Sequence, residues 1–472
     1  MADIKCDVCV IGAGSGGLSF AAGASQMGAD VVLLEGHKMG GDCLNYGCVP
    51  SKALLAAGKA AHAKGQGEGF GVSPALAEVD FAGAKDHLRN VIAAIEPHDS
   101  VERFEGLGVR VIQEFGRFTS QRTVQAGDHT ITARRFVIAT GSRPAVPPIP
   151  GLAEVPYFTN ETIFDLRDRP DHLIIIGGGP IGMEMAQAHR RLGSDVTVIE
   201  AGKALGRDDP DMVAPVLEQL SGEGIDIRED QGAASVSASG EKISVHLSDG
   251  SSVTGSHLLI AVGRTPNIED LELHKAGIET TKAGVKVDAG LRTSNPKVYA
   301  VGDVAGLGQF THLAGYHAGV IIRPILLGLP AKTRQDHIPR VTYTDPEIAQ
   351  IGMTEAEARA AHGDKLTVAT AQYGGNDRAL AEAKTIGQIK VMVVKGRPVG
   401  VSIVGAQAGE LIGVWALALA NKLKMSAIAG MVAPYPTLGE VNKRAAGAYF
   451  SPKLFDSPLL KRIVRTVQRV IP

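Results

Sequence analysis

Cysteine is scarce in this chain. There are four in 472 residues, too few for the disulfide framework of a secreted protein. Aromatic residues make up 4%, with a single Trp, so the core must be built mainly from Ala, Val, Ile and Leu. Neither sign of charge dominates: 48 Lys and Arg against 50 Asp and Glu leave a formal net charge of -2. That balance lacks the basic footprint of a nucleic-acid binder. No apolar run reaches the ~18 residues that span a bilayer, and the first residues lack the basic flank and apolar stretch of a signal peptide. These absences point to a soluble, cytoplasmic protein. What abounds is glycine, 58 residues against an average of roughly 7%, which implies tight turns and close backbone approaches. The length accommodates about three domains.

The glycines are organised. KCDVCVIGAG reads as a strand and is followed by GAGSGG, in which Gly12, Gly14 and Gly17 fit G-x-G-x-x-G. A helix-like stretch, LSFAAGASQMG, comes next, then the apolar run DVVLLE ending at Glu35. In such a unit the first glycine turns the chain and the second lets backbone approach a pyrophosphate. The third lets helix and strand pack closely, the helix N-terminus holds phosphate, and the acid binds ribose hydroxyls. HLIIIGGGPIG repeats the pattern with Gly177, Gly179 and Gly182, followed by MEMAQAHRRLG and by DVTVIE ending at Glu200. Eighteen residues lead from the third glycine to the acid in both units. The repeat predicts two dinucleotide-binding domains and two cofactors. Glu200 welcomes a ribose 2′-hydroxyl and repels a 2′-phosphate, which favours NAD(H) over NADP(H); Lys203 is the counter-signal.

GGDCLNYGCVPSK carries Cys43 and Cys48. In a regular helix, Cα atoms five apart sit about 8 to 9 Å from one another, whereas a disulfide wants roughly 4.4 to 6.8 Å. The pair can join only if the backbone is distorted between them, and Gly47 supplies that freedom. Pro50 suits the start of a helix, and SKALLAAGKAAHAK behind it is rich in helix formers. A thiol at the positive end of a helix is biased toward thiolate. The segment reads as a redox pair or as two buried structural cysteines; a zinc site would need further ligands, and none is nearby. Cys6 and Cys9 are three apart on a strand, which predicts opposite faces and two small buried residues. Two nucleotide sites and a dithiol together suggest an electron path between nicotinamide, flavin and sulfur.

On these motifs the chain resembles the pyridine nucleotide–disulfide oxidoreductases, the family of dihydrolipoamide dehydrogenase, glutathione reductase and mercuric reductase. The likeness includes GGDCLNYGCVPSK, FVIATGSRP (136–144), LIAVGRTPN (259–267), TSNPKVYAVGD (293–303) and VTYTDPEIAQIGMTE (341–355). It implies an α/β fold: two Rossmann-like domains, for FAD and NAD, and an α+β dimerisation domain. The expected bounds are 1–150 for the first part of the FAD domain, 151–280 for the NAD(P) domain, 281–338 for the second FAD part and 339–472 for the dimer domain. The resemblance implies that Cys48 lies against the flavin and Cys43 meets substrate. Lys52 reaches the flavin and pairs with Glu184. Glu35 and Asp303 bind FAD ribose and ribityl hydroxyls, Gly116 lies by the adenine, and Thr140, Gly141 and Gly263 join the cofactor contacts. No resident metal is expected, and the partners are a small electron acceptor and a second copy of the chain.

The pattern also departs from the family. Its disulfide reductases carry His-Pro-Thr with a glutamate three residues on, the His serving the partner subunit's thiols. Here APYPTLGE puts Tyr435 at the His position and keeps Pro436, Thr437 and Glu440. A phenol titrates near 10 and imidazole near 6.5, so Tyr435 is a poor base at neutral pH. Tyr435 and QFTHLAGYHAGV (309–320) are similar to mercuric reductase, but no cysteine follows Cys48, and soft Hg²⁺ wants thiolates for delivery. His312 and His317 read as core or surface residues. The expected reaction passes electrons from NADH through FAD and the dithiol to a small disulfide, a quinone or a metal ion. Dihydrolipoamide oxidation and mercuric-type reduction are the alternatives. Near the end, Leu459, Leu460, Ile463, Val464 and Val467 recur at helical spacing among Lys461, Arg462, Arg465 and Arg469. That basic amphipathic pattern suits packing on its own domain, or contact with a membrane surface.

Overall fold

The computed structural model describes residues 2–75 and 77–471. Met1 and Pro472, the outer bounds of the first and last expected domains, lie outside them. The chain forms two compact units: Met1–Gly65, Ala75–Ala201 and Asp230–Arg334 make the first, and Gln66–Pro74, Gly202–Glu229 and Gln335–Pro472 the second.

In the first unit the strand Ala2–Ile11 lies between Val31–Leu34 and His129–Ile138, parallel to both, and Val109–Ile112 extends the sheet beyond Val31–Leu34. Val298–Ala300 pairs in parallel with His129–Ile138, so a distant stretch returns to complete the layer. Val31–Leu34 is buried throughout, as a parallel strand covered on both faces must be. One face packs Val8, Val10, Phe20, Leu33 and Phe104. The other packs Ile11, Val32, Leu34, Phe118 and Phe136, with Phe118 edge-on to Phe136 at 5.4 Å between ring centroids.

Cys6 and Cys9 correct one expectation. Both belong to the same buried cluster rather than to opposite faces. The cause is local: the N–H groups of Asp7 and Val8 both donate to Asp30 O, at 3.0 and 3.1 Å. The inward face changes at this point: Ile4 and Cys6 share the cluster of Cys9 and Ile11, while Val8 and Val10 face the other way, with the pairing to His129–Ile138 unshifted. Burial first, and then nearby negative charge, pushes the Cys6 thiol up to about 12, and burial raises Cys9 as well. These are neutral core residues.

A second parallel layer in this unit is built from Asp195–Ile199, His172–Ile176 and His257–Ile260. Helix Pro180–Arg191 connects the first two in chain order. The second unit holds a five-stranded antiparallel sheet, ordered Pro339–Thr342, Glu347–Gly352, Arg397–Gly405, Gly387–Val394 and Leu366–Gln372. Helices cover it around Trp415, whose indole N–H donates to Asn442 Oδ1 at 2.8 Å. Among the described residues no helix is long and apolar enough to cross a membrane.

Candidate functional site: two nucleotide loops and a dithiol

The two glycine loops are built alike, atom for atom. Gly12 and Gly177 have φ of +105° and +116°, a region only glycine visits without strain. A Cβ on Gly17 would strike Gly12 O at 1.9 Å, and one on Gly182 would strike Gly177 O at 1.9 Å. The third glycines are therefore required by packing of helix on strand. The middle glycines differ: a Cβ on Gly179 meets no atom within 4 Å, and one on Gly14 only Gly41 Cα, at 4.0 Å. No described residue demands glycine there. A ligand pressed against the backbone would, so the loops fit dinucleotide phosphates.

The acids close each loop. Glu35 accepts from the N–H of Ala13 at 2.7 Å and of His37 at 2.8 Å. Glu200 accepts from the N–H of Gly178 at 2.7 Å. Lys203, the counter-signal for NADP(H), is engaged by Glu229 at 3.6 Å. Asp303 is half-buried, and the partial loss of solvent raises its pKa. It accepts from Ser142 Oγ at 2.6 Å; Ser142 in turn accepts from Arg264 Nε at 2.7 Å, and Arg264 reaches Asp42 at 2.9 Å. Thr140 donates its hydroxyl to Asn267 O at 2.7 Å. Gly141 and Gly263 have φ of +69° and +130°, each with open space at Cβ. Gly116 begins a strand, and a Cβ there would meet Leu34 Cδ1 at 2.6 Å.

Cys43 sits in the short helix Gly41–Asn45, and Cys48 is the first residue of Cys48–Ala63. Between them the chain breaks at Gly47, φ -121° and ψ -114°. A Cβ on Gly47 would crowd Asp42 Oδ2 at 2.9 Å and Cys43 Cα at 3.3 Å, so the break needs glycine. The helix starts two residues ahead of Pro50, with Pro50 in the first turn, where no N–H is missed.

Both cysteines are free thiols, Cys48 exposed and Cys43 half-buried. The hydrogen bond from Cys43 lowers Cys48 to about 6; partial burial opposes it, while Thr311 and the charge of Lys52 assist. The same bond, with burial, raises Cys43. The reduced site is thus a thiolate at Cys48 beside a thiol at Cys43. Thr311 Oγ1 lies 3.5 Å from Cys48 Sγ. Lys52, one turn after Cys48, pairs with Glu184 at 2.7 Å; Glu184 is buried in helix Pro180–Arg191, two residues past Gly182. His317 is a core residue: Nδ1 accepts from the N–H of Gly302 at 3.2 Å, and burial holds it at about 4. His312 stacks on Phe310.

In the second unit Tyr435 is 70% exposed. Its hydroxyl donates to Asp377 Oδ2 at 2.8 Å, a bond that raises its pKa. Glu440 is not its partner; Glu440 Oε2 is buried without a hydrogen bond. Thr311, Asp377 and the Ser142–Arg264 link escaped the reading of the sequence. Thr311 is 263 positions from Cys48, and no spacing rule connects them.

A redox dithiol with one acidic sulfur, beside two dinucleotide cradles in the same unit, defines a nucleotide-dependent dithiol oxidoreductase. The chain belongs to the pyridine nucleotide-disulphide oxidoreductase family, which residues 6–318 match, with the family's dimerisation domain at 338–446. It is similar to mercuric reductase of Bacillus cereus, 32% identical over 446 residues, 93% of this chain and 70% of that protein. It is equally similar to dihydrolipoyl dehydrogenase of Bacillus subtilis, 32% identical over 91% of this chain and 96% of that one. Among solved structures, the Cu(II) complex of the HOCl-induced flavoprotein disulfide reductase RclA from Escherichia coli superposes with a TM-score of 0.83. It shares 27% identity and covers 92% of this chain and 98% of its own. The protein is an FAD-dependent oxidoreductase that uses NAD(P)H, and the dimerisation domain supports a homodimer.

Proposed function

We propose that the enzyme passes electrons from NADH through FAD, Cys48 and Cys43 to a small acceptor, a soft metal ion foremost. A small disulfide and a quinone are the other acceptors of this reading. The observation that carries it is the placement of the dithiol: Cys48 is exposed at the start of a helix with Thr311 Oγ1 at 3.5 Å and Lys52 one turn on, and Cys43 is half-buried in the short helix just before it. When bound, FAD would supply the two-electron chemistry that links nicotinamide hydride to sulfur. Gly12, Gly14, Gly17 and Glu35 would hold its adenosine half, with Gly116, Thr140, Gly141 and Asp303 as its further contacts. Gly177, Gly179, Gly182, Glu200 and Gly263 hold the nicotinamide nucleotide, and the Glu200 carboxylate selects a 2′-hydroxyl. Lys52, held by Glu184, keeps positive charge near Cys48.

Reduction of the Cys43–Cys48 disulfide takes two electrons and one proton and leaves one thiolate and one thiol. Return of both electrons to the acceptor re-forms the S–S bond and frees the Cys43 proton. A soft cation binds thiolate directly and needs no base at the substrate. Dihydrolipoamide must lose protons, and Tyr435, tied to Asp377, is a weak base for that work. This supports a metal ion over dihydrolipoamide, although retained Pro436, Thr437 and Glu440 keep the latter as second reading. We place the enzyme in the cytoplasm, where thiols such as Cys6 and Cys9 stay reduced.

The test is anaerobic titration with NADH followed by Hg²⁺, Cu²⁺, a small disulfide, a quinone and, in reverse, dihydrolipoamide with NAD⁺. Loss of the long-wavelength thiolate–flavin absorbance in Cys48→Ser is expected. So is dihydrolipoamide turnover on the order of 10² below that of a Tyr435→His variant. Native turnover equal to that of the variant sinks the reading.

A further inference from the structure

The helix Pro458–Val470 has no buried residue. It is nonetheless well started: Ser457 Oγ accepts from the N–H of Leu460 at 3.3 Å, and Pro458 occupies the first position. At 100° per residue its apolar side chains, Leu459, Leu460, Ile463, Val464, Val467 and Val470, fill an arc of about 140°. Lys461, Arg462, Arg465 and Arg469 fill an arc of about 100° centred on the opposite side. The acidic count in 457–471 is zero, in a chain whose charges otherwise balance. Leu459 is 67% exposed, and Phe455, at the end of the preceding helix, is exposed too.

A 13-residue helix is marginal in water unless its apolar face is covered. What covers it is indicated by charge. A helix that packs on protein needs no single sign on its outer face, and such faces mix acids with bases. An all-basic outer face complements an anionic surface. The match to the family's dimerisation domain stops at residue 446, and the helix follows it in the chain. We propose that Pro458–Val470 is an interfacial anchor that lies flat on an anionic lipid bilayer. At 1.5 Å per residue it is about 20 Å long, short of the ~30 Å hydrocarbon core, so it rests in the headgroup region and does not span.

The experiment uses the full-length, FAD-loaded enzyme carrying Leu459→Trp. The native Trp415 is fully buried and gives a constant background. With phosphatidylcholine vesicles containing phosphatidylglycerol, the emission is expected to shift to the blue and the protein to sediment with the lipid. Without phosphatidylglycerol the affinity is expected to fall on the order of a thousandfold, as four cations lose their attraction. Ile463→Asp with Val467→Asp should abolish binding, and Arg462→Gln with Arg465→Gln should weaken it about tenfold or more; all variants should oxidise NADH at the native rate. Absence of binding to the anionic vesicles overturns the proposal, as does equal affinity for both vesicle types. It also fails if binding survives the double aspartate variant, or if deletion of 457–472 turns a dimer into a monomer while vesicles are ignored.

Discussion

At Cys48 the acidity comes first from a neighbour, Cys43, and only then from Thr311 and Lys52. Alkylation of the reduced enzyme, mapped by mass spectrometry, should therefore titrate at Cys48 with a midpoint near 6. Cys43→Ala removes the leading cause and should carry the midpoint up toward the ordinary thiol value of about 8.5. Lys52→Met should move it the same way by less. A midpoint unmoved in Cys43→Ala contradicts the assignment. The cysteine pair was legible because its glycine and proline are neighbours in the chain. Thr311 was not, because contact with Cys48 is made by folding alone. The bond from Tyr435 to Asp377 was equally hidden: a motif places residues along the chain and does not say which hydrogen bond each will choose.

Elements carry a different lesson. The strand–loop–helix units were readable in full, since their geometry is dictated by glycines a few residues apart. What the pattern could not separate was glycine needed for folding from glycine needed for a ligand. The structure separates them. Gly182→Ala drives a methyl to 1.9 Å from Gly177 O and should lower the thermal midpoint as well as NADH affinity. Gly179→Ala meets no protein atom within 4 Å. It should leave the midpoint within a degree or so of native and raise the KM for NADH about tenfold or more, with FAD retained. Calorimetry paired with steady-state kinetics distinguishes the two, and a midpoint lost in Gly179→Ala contradicts the assignment. Cys6 and Cys9 fall on one face because the alternation changes at Asp7, where two successive N–H groups share Asp30 O on the approach to the neighbouring strand, a contact that spacing along the chain does not reveal.

For the molecule as a whole, stability leans on buried charge that composition conceals. Lys390, 5% exposed, meets Asp209, Asp211 and Glu355 at 3.0, 2.7 and 2.7 Å. Lys390→Met would strand the buried Asp209 and should cost about 3 kcal/mol or more, read as an earlier midpoint in urea; an unchanged midpoint contradicts it. Acid should also unfold the protein early. Burial, aided by Lys85, lowers His189 to about 3, and burial lowers His317 to about 4. An unfolded histidine titrates near 6.5, so below that pH the unfolded chain binds more protons. Stability is complete above pH ~6.5 and falls by about 1.4 kcal/mol per pH unit per histidine until the folded values are reached. His317→Asn should flatten that slope in melts from pH 7 to 4.

One helix has a wider meaning. Pro180–Arg191 begins at the second glycine loop and carries Glu184, which grips Lys52 one turn from Cys48. One ion pair thus joins a nucleotide loop to a sulfur. A ligand that shifts the start of this helix shifts Glu184 with it, and reciprocity then requires that ionising the sulfur change how tightly that ligand is held.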